Sequence, residues 1–367
     1  MLNALEIFSG GGGLSLGLKR AGISPLVAVE LDNDAAETYR ANHPNAIVFE
    51  NDIRDIRSEL LAQYFPDGKI DLLAACPPCQ GFSSLTAKYR RDDERNKLVY
   101  EVARLARDLR PAAIMFENVP GLARKGETIF KKLVSDLERD GYICEWDVLQ
   151  VADYGVAQTR RRLVLVAGLG YSVSLPRKTH SREGQDDLSL WRTLRDAIDD
   201  LPVASQYNPK VFRSDWHVFR RMSDANVKRL KYAKPGGNWS DIPEQFRPPC
   251  HRDGYKGFSN AYGRLTWDEP SPTITGGCTS LSKGRVGHPE ELRTITVREA
   301  ALIQSFPNDY EIRTTRVDKA CEIIGNALPP WFAEAIASSV RDRLKRAEPW
   351  LDHSKLDARL VLDRPPA

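Results

Sequence analysis

Long hydrophobic runs are missing from this 367-residue chain, and no stretch approaches the roughly 20 apolar residues that a bilayer-spanning helix needs. The opening residues, Met1-Leu2-Asn3-Ala4-Leu5-Glu6, lack the basic start and apolar centre of a secretory signal. Cysteine is scarce: six residues, of which only Cys76 and Cys79 lie close together. That excludes a disulfide framework and suits a reducing compartment. A four-thiolate zinc site would need a second close pair, and Cys144, Cys250, Cys278 and Cys321 are scattered singly, so no metal is expected. A redox pair at Cys76-Cys79 is the minor alternative. Charge of one sign is also lacking. The 53 basic and 50 acidic residues leave a net +3, which does not by itself announce a polyanionic partner. Internal repeats and low-complexity tracts are absent. What remains is an ordinary globular composition in a chain longer than one core usually serves. The expectation is a two-domain cytoplasmic protein.

Against this background one stretch stands out, Ala75-Cys76-Pro77-Pro78-Cys79-Gln80-Gly81-Phe82-Ser83. The apolar run Ile70 to Ala75 before it reads as a buried parallel strand. A thiol just past such a strand sits where open α/β sheets bind ligands. Forty residues on, Ile114-Met115-Phe116 ends in Glu117-Asn118-Val119, a carboxylate in the equivalent place. A nucleophile and an acid on neighbouring strand ends make a catalytic pair. Cys76 itself reads as a small buried hydrophobe. Taken alone, Glu117-Asn118 fits a strand-end cap equally well.

The amino terminus offers a cofactor site. A strand over Ala4 to Phe8 runs into Ser9-Gly10-Gly11-Gly12-Gly13, then a helix that Gly22 stops. Ser15 stands where a dinucleotide fingerprint would have its third glycine. A second strand, Leu26 to Val29, ends at Glu30, an acid about 20 residues past the glycines, suited to ribose hydroxyls.

Read together, Phe8-Ser9-Gly10-Gly11-Gly12-Gly13, Pro77-Pro78-Cys79-Gln80, Glu117-Asn118-Val119, Gln158-Thr159-Arg160-Arg161-Arg162, Arg264 to Thr275 and Gly325-Asn326-Ala327-Leu328-Pro329 resemble, in order, the motifs of the DNA cytosine-5 methyltransferases of bacterial and phage restriction-modification type. One departure is Glu6, where the family usually has Asp. The resemblance implies a Rossmann-like, doubly wound α/β catalytic domain that uses S-adenosyl-L-methionine and acts on double-stranded DNA. It implies that Cys79 adds to carbon 6 of a flipped cytosine and that Glu117 acts on ring nitrogen 3. Arg160 or Arg162 would hold the carbonyl oxygen and a phosphate. It also implies a cofactor site from Phe8, Ser9, Gly10, Gly12, Gly13, Leu14, Glu30, Asp52, Ile53, Pro78, Leu98, Asn326 and Ala327. Without the resemblance, Asp52 reads as a turn or cap residue, and an arginine triplet as solvated surface.

Organisation follows the same lines. Residues 1–175 alternate strands (near Ile47–Phe49, Leu72–Ala75, Ile114–Phe116 and Arg162–Gly168) with helices such as Lys97–Leu109. From 176 to 314 this alternation is lost, and the stretch is read as an inserted target-recognition domain. Residues 315–367 return to the catalytic domain, mostly helical over Asp318–Leu344. Between Lys210 and Lys234 lie eight basic and two acidic residues with Trp216, Phe219 and Tyr232 among them. This is a phosphate-binding cluster or a solvated helix; charge alone favours neither. Residues 80–97, polar and just past the nucleophile, are expected to form a mobile lid. A monomer is expected, with any cognate restriction endonuclease acting separately and the protein on the nucleoid when it is bound to DNA. Two alternatives stay open: a transfer RNA cytosine-5 methyltransferase on the same scaffold, and a catalytically inactive DNA-binding paralogue.

Overall fold

The computed structural model describes residues 1–78, 94–185, 187–208, 215–252, 254 and 258–347. Its centre is a seven-stranded sheet: β1 (Leu2–Ile7), β2 (Ile23–Glu30), β3 (Ile47–Glu50), β4 (Leu72–Ala75), β5 (Ala113–Asn118), β6 (Tyr142–Gln150) and β7 (Arg161–Leu169). The order is β3-β2-β1-β4-β5-β7-β6. Neighbours run parallel except β7, which is antiparallel to both β5 and β6. Every residue of β1, β4 and β5 is buried. Sheets covered on both faces demand that, and it is why these strands read as continuous apolar runs.

Helices cover both faces. On one side α4 (Val99–Leu109) and α5 (Glu127–Arg139) pack Val102, Leu105, Phe130 and Leu133 against Leu5, Ile7, Leu73 and Phe116. On the other, α1 (Gly13–Arg20) and α10 (Pro330–Ala347) pack Leu14, Leu18, Phe332, Ile336 and Val340 against Ala4, Leu72, Ala74 and Met115. The two helices of this second layer thus come from opposite ends of the chain. Gly17 makes the α1–α10 contact possible, because a Cβ there would lie 2.4 Å from that of Ala333.

The strand order reverses between β1 and β4, so a crevice opens beyond their carboxyl ends. The glycine loop leaves β1 there, and Cys76-Pro77-Pro78 leaves β4. The antiparallel β7 completes the arrangement. Glu117 of β5 lies opposite Val164, so Arg162, two residues away, shares its face.

Beyond β7, regular structure thins to two- and three-residue strands, 3-10 turns and the helices α6 (Arg195–Ile198), α7 (Asp224–Tyr232) and α8 (Val297–Ile303). A second core holds this part together. It includes Leu194, Trp216, Leu230, Leu265, Ile274 and Ile295. It also takes in Ala320, Ile323 and Ile324 of α9 (Val317–Asn326), so α9 packs with the region before it while α10 packs on the sheet. Trp216 belongs to this core rather than to a nucleic-acid surface: it is buried, and its indole N–H donates to Ile312 O at 2.8 Å.

Candidate active site

The glycine loop is shaped by what approaches it. A Cβ on Gly11 would lie 2.5 Å from Ile323, one on Gly12 would lie 2.4 Å from His43, and one on Gly13 would lie 2.7 Å from Leu328 O. These glycines admit the protein's own α9, His43 and carboxyl-terminal segment. Gly10 differs. Its φ is +54°, in the left-handed region glycine favours, and among the described residues nothing lies within 4 Å of where its Cβ would be. That leaves a bare stretch of main chain facing the crevice. Phe8, also at positive φ (57°), turns the strand into the loop. Ser9 is buried, its N–H bonded to Val29 O at 3.1 Å, and Leu14 is buried at the start of α1.

Glu30 closes the far side. Its Oε2 accepts from Gly10 N–H at 2.7 Å, and Oε1 accepts from Leu31 and Asp32 N–H at 2.9 and 2.8 Å. Burial pushes this carboxyl up, opposed by those three bonds. The carboxylate thus fixes the loop while keeping lone pairs for other donors. Asp52 caps a 3-10 turn, accepting from Arg54 N–H at 3.0 Å. The Arg54 guanidinium holds its carboxyl below the usual range. Ile53 is buried in the same apolar cluster against which Phe8, Leu98 and Val119 pack. Phe8, Ile53 and Leu98 thus share one apolar cluster, and Asp52, next to Ile53 in the chain, is engaged in its turn.

At the catalytic edge, Glu117 is buried and its Oε1 lies 2.7 Å from Arg162 Nε. Burial pushes the Arg162 guanidinium down, and Glu117 and Cys76 oppose that shift. Asn118, singled out in the sequence only as a cap, does more: its amide donates to Pro77 O at 3.0 Å, tying the end of β5 to the turn after β4. Burial, then Glu117 and Glu6, hold the Cys76 thiol well above its ordinary range, which suits an unreactive residue. Pro78 is partly buried at the crevice. Cys79 lies outside the described residues, as does the expected lid except for 94–97, which begin a 3-10 turn reaching Leu98.

The two candidate arginines part company. Arg160 is buried and donates mostly to the main chain, to Ile274 O at 2.7 Å, Gly325 O at 3.0 Å and Ala327 O at 3.3 Å, and to Gln304 Oε1 at 3.3 Å. Gln158 accepts from Ile274 N–H at 2.9 Å, and Gln158-Thr159 pairs with Ser271-Pro272. Motifs more than a hundred residues apart are thereby joined by the terminal nitrogens of Arg160, whose Nε is buried without a partner among the described residues, while Arg162 pairs with the acid. Ala327 packs beside Gly13, whose missing Cβ would lie 3.3 Å from its own. Asn326 is exposed at the end of α9, near Gly276.

Sequence reasoning noted Glu6 only as a departure from the family's Asp and gave it no role. It is buried beneath the loop, accepts from Ser15 Oγ, and has Tyr39 OH 3.5 Å away; its second oxygen has no partner among the described residues. Burial pushes its carboxyl up to about 8. Ser15, noted as a break in the glycine spacing, is thus the partner of Glu6. His43 on the same side donates its Nε2–H to Gly12 O (3.0 Å), and burial pushes it down to about 4.

Comparison with known proteins agrees with this geometry. The chain is 34% identical over 344 residues to the type II methylase M.HgiDII of Herpetosiphon aurantiacus, covering 92% of this chain and 94% of that one. It is 33% identical to the type II methyltransferase M1.HphI of Haemophilus parahaemolyticus, over 92% of this chain and 86% of that one. Its fold matches an Escherichia coli prophage protein described as a DNA modification methyltransferase (TM-score 0.70, 24% identity, 94% and 100% coverage) and Dnmt2 of S. pombe (TM-score 0.62, 18% identity, 95% and 99% coverage). The family model for C-5 cytosine-specific DNA methylases matches residues 2–342. The chain belongs to the C-5 cytosine-specific DNA methylase family and is a DNA (cytosine-5-)-methyltransferase.

Proposed function

We propose that this enzyme methylates carbon 5 of a cytosine flipped out of a specific duplex DNA sequence, through a covalent adduct with Cys79, as the modification partner of a restriction endonuclease. The observation that carries the reading is the buried Glu117–Arg162 pair at the switch point of the sheet, tied by Asn118 to the turn that leads to Cys79. The type II relatives support the restriction-modification setting.

Carbon 5 of cytosine is a poor nucleophile. Addition of the Cys79 thiolate to carbon 6 makes carbon 5 enamine-like, dividing one hard step into easier ones. Glu117 engages ring nitrogen 3 as electrons move toward it. Arg162, freed to fork between Glu117 and the cytosine carbonyl oxygen, steadies the developing charge. Arg160 takes no part in the chemistry. Stacked in a duplex, both ring faces are covered, so the base must leave the helix.

S-adenosyl-L-methionine supplies the electrophilic methyl group when bound. The residues present fit it: the open main chain at Gly10 admits close approach, Glu30 retains lone pairs for ribose hydroxyls, and Phe8, Ile53 and Leu98 offer an apolar seat for an adenine ring. Ser9, Gly12, Gly13, Leu14 and Pro78 shape the loop around it, with Asp52, Asn326 and Ala327 at its margins. Residues 1–175 and 315–367 form the catalytic domain and 176–314 the target reader. Base-resolution mapping of methylated DNA, with wild type and Cys79→Ser, tests the reading: a single sequence context that vanishes with the variant is expected.

A further inference from the structure

Helix α7 carries two exposed lysines one turn apart. Lys228 and Lys231 are exposed and have no ion pair among the described residues. They lie with Asp224, Val227 and Tyr232 at helical spacing along one face of α7, lining an open concavity. Lys228 is held in place, its ammonium 3.7 Å from the centre of the Phe246 ring, which stacks on Tyr232 at 5.4 Å. Arg220, Arg221 and Lys234 are exposed on either side of the helix.

We propose that this stripe is a track for the DNA phosphate backbone, with Lys228 and Lys231 each neutralising one phosphate while reading no base. The inference rests on the DNA-methylating function above and adds which surface orients the duplex. Two observations choose phosphate over base edges. The exposed donors on α7 itself are ammonium groups, point charges suited to phosphate. Arg229 and Asn226, the groups on α7 capable of bidentate base contacts, are turned on their own helix and neighbour: Arg229 donates to Asn226 Oδ1 at 2.7 Å and to Phe246 O at 2.9 Å. Asp224 sits in the first helical turn, where the macrodipole favours an anion.

The test is the salt dependence of binding to a duplex carrying the enzyme's mapped site, measured by fluorescence anisotropy on the full chain. Each lost phosphate contact lowers the slope of log K against log salt by about 0.9. The double variant Lys228→Ala, Lys231→Ala is expected to lose about 1.8 of slope, and to weaken specific and non-specific duplexes by the same factor. Lys228→Arg, Lys231→Arg keeps the slope, and Lys131→Ala, Lys132→Ala on α5 leaves it at the wild-type value. A double alanine variant with the wild-type slope overturns the proposal, as does a loss confined to the specific duplex, which would mean base reading. Failure of wild type to methylate any DNA overturns the underlying function instead, and with it this inference.

Discussion

Replacing Arg160 by alanine should unfold the protein more easily rather than merely silence it. Its guanidinium donates four hydrogen bonds inside the structure, three to carbonyls and one to Gln304, and joins β7's approach to the Ile274 segment and to the end of α9. A hydrogen bond involving a charged group is worth about 1.5–3 kcal/mol, and an abandoned buried acceptor costs about 1–3 kcal/mol. These terms do not add in full, and removing a buried cation recovers part of its desolvation cost. A net loss of about 3 kcal/mol is the expectation. With a urea m-value of about 3 kcal/mol/M, the midpoint should fall by about 1 M. Arg162→Ala removes only the partly accessible partner of Glu117. It should shift the midpoint far less, yet slow methyl transfer by about 10²-fold, the scale of losing one electrostatic stabiliser. Urea unfolding followed by tryptophan fluorescence, with single-turnover methyl transfer in parallel, separates the two. An Arg160→Ala protein as stable as wild type but catalytically dead would refute the assignment and return Arg160 to the cytosine.

Three further outcomes follow from the same geometry. Asn118→Ala loses the bond to Pro77 O; it should cost about 1 kcal/mol of stability and slow the single-turnover rate, with cofactor affinity in calorimetry unchanged. Glu30→Ala should weaken S-adenosyl-L-methionine binding by 10-fold or more, on the order of one charged hydrogen bond, with DNA affinity nearly intact; equal losses in calorimetry would reject the ribose role. Two buried groups make stability depend on pH in opposite directions. Glu6, raised to about 8 in the folded state, holds a proton the unfolded chain gives up near 4.5, so its contribution is full below 4.5 and is lost as pH rises through 8. His43, lowered to about 4, stays neutral where the unfolded imidazole takes a proton, so its contribution is lost as pH falls from 6.5 through 4. Urea midpoints across pH should lack the loss between about 4.5 and 8 in Glu6→Gln and the loss between 6.5 and 4 in His43→Gln; unchanged profiles would contradict both.

The sheet was largely legible because parallel strands buried on both faces are written as unbroken apolar runs, as in Leu72–Ala75, and because glycines and acids mark their ends. Strand bounds shifted by a few residues: the second begins at Ile23 rather than Leu26. The strand Tyr142–Gln150 escaped notice because, at the sheet's edge, it keeps exposed polar and aromatic residues such as Glu145 and Trp146. Within the site, Glu117 and Glu30 announced themselves by position. The arginine triplet could not be divided from sequence, since the carbonyls that occupy Arg160 come from residues 114 to 167 positions away. Trp216 lay within a basic cluster that charge alone could not assign to phosphate binding or to solvent; its burial involves Ile312, nearly a hundred residues on. In each case the missing information was a long-range partner, not a local preference.

The most direct test of the central claim is methyl transfer from labelled S-adenosyl-L-methionine to unmethylated genomic DNA, with total transfer RNA in parallel and Cys79→Ser beside wild type. Label on DNA, at carbon 5 of cytosine in one sequence context and absent with the variant, is the predicted result. Label on RNA alone, or label on DNA that survives Cys79→Ser, would contradict it.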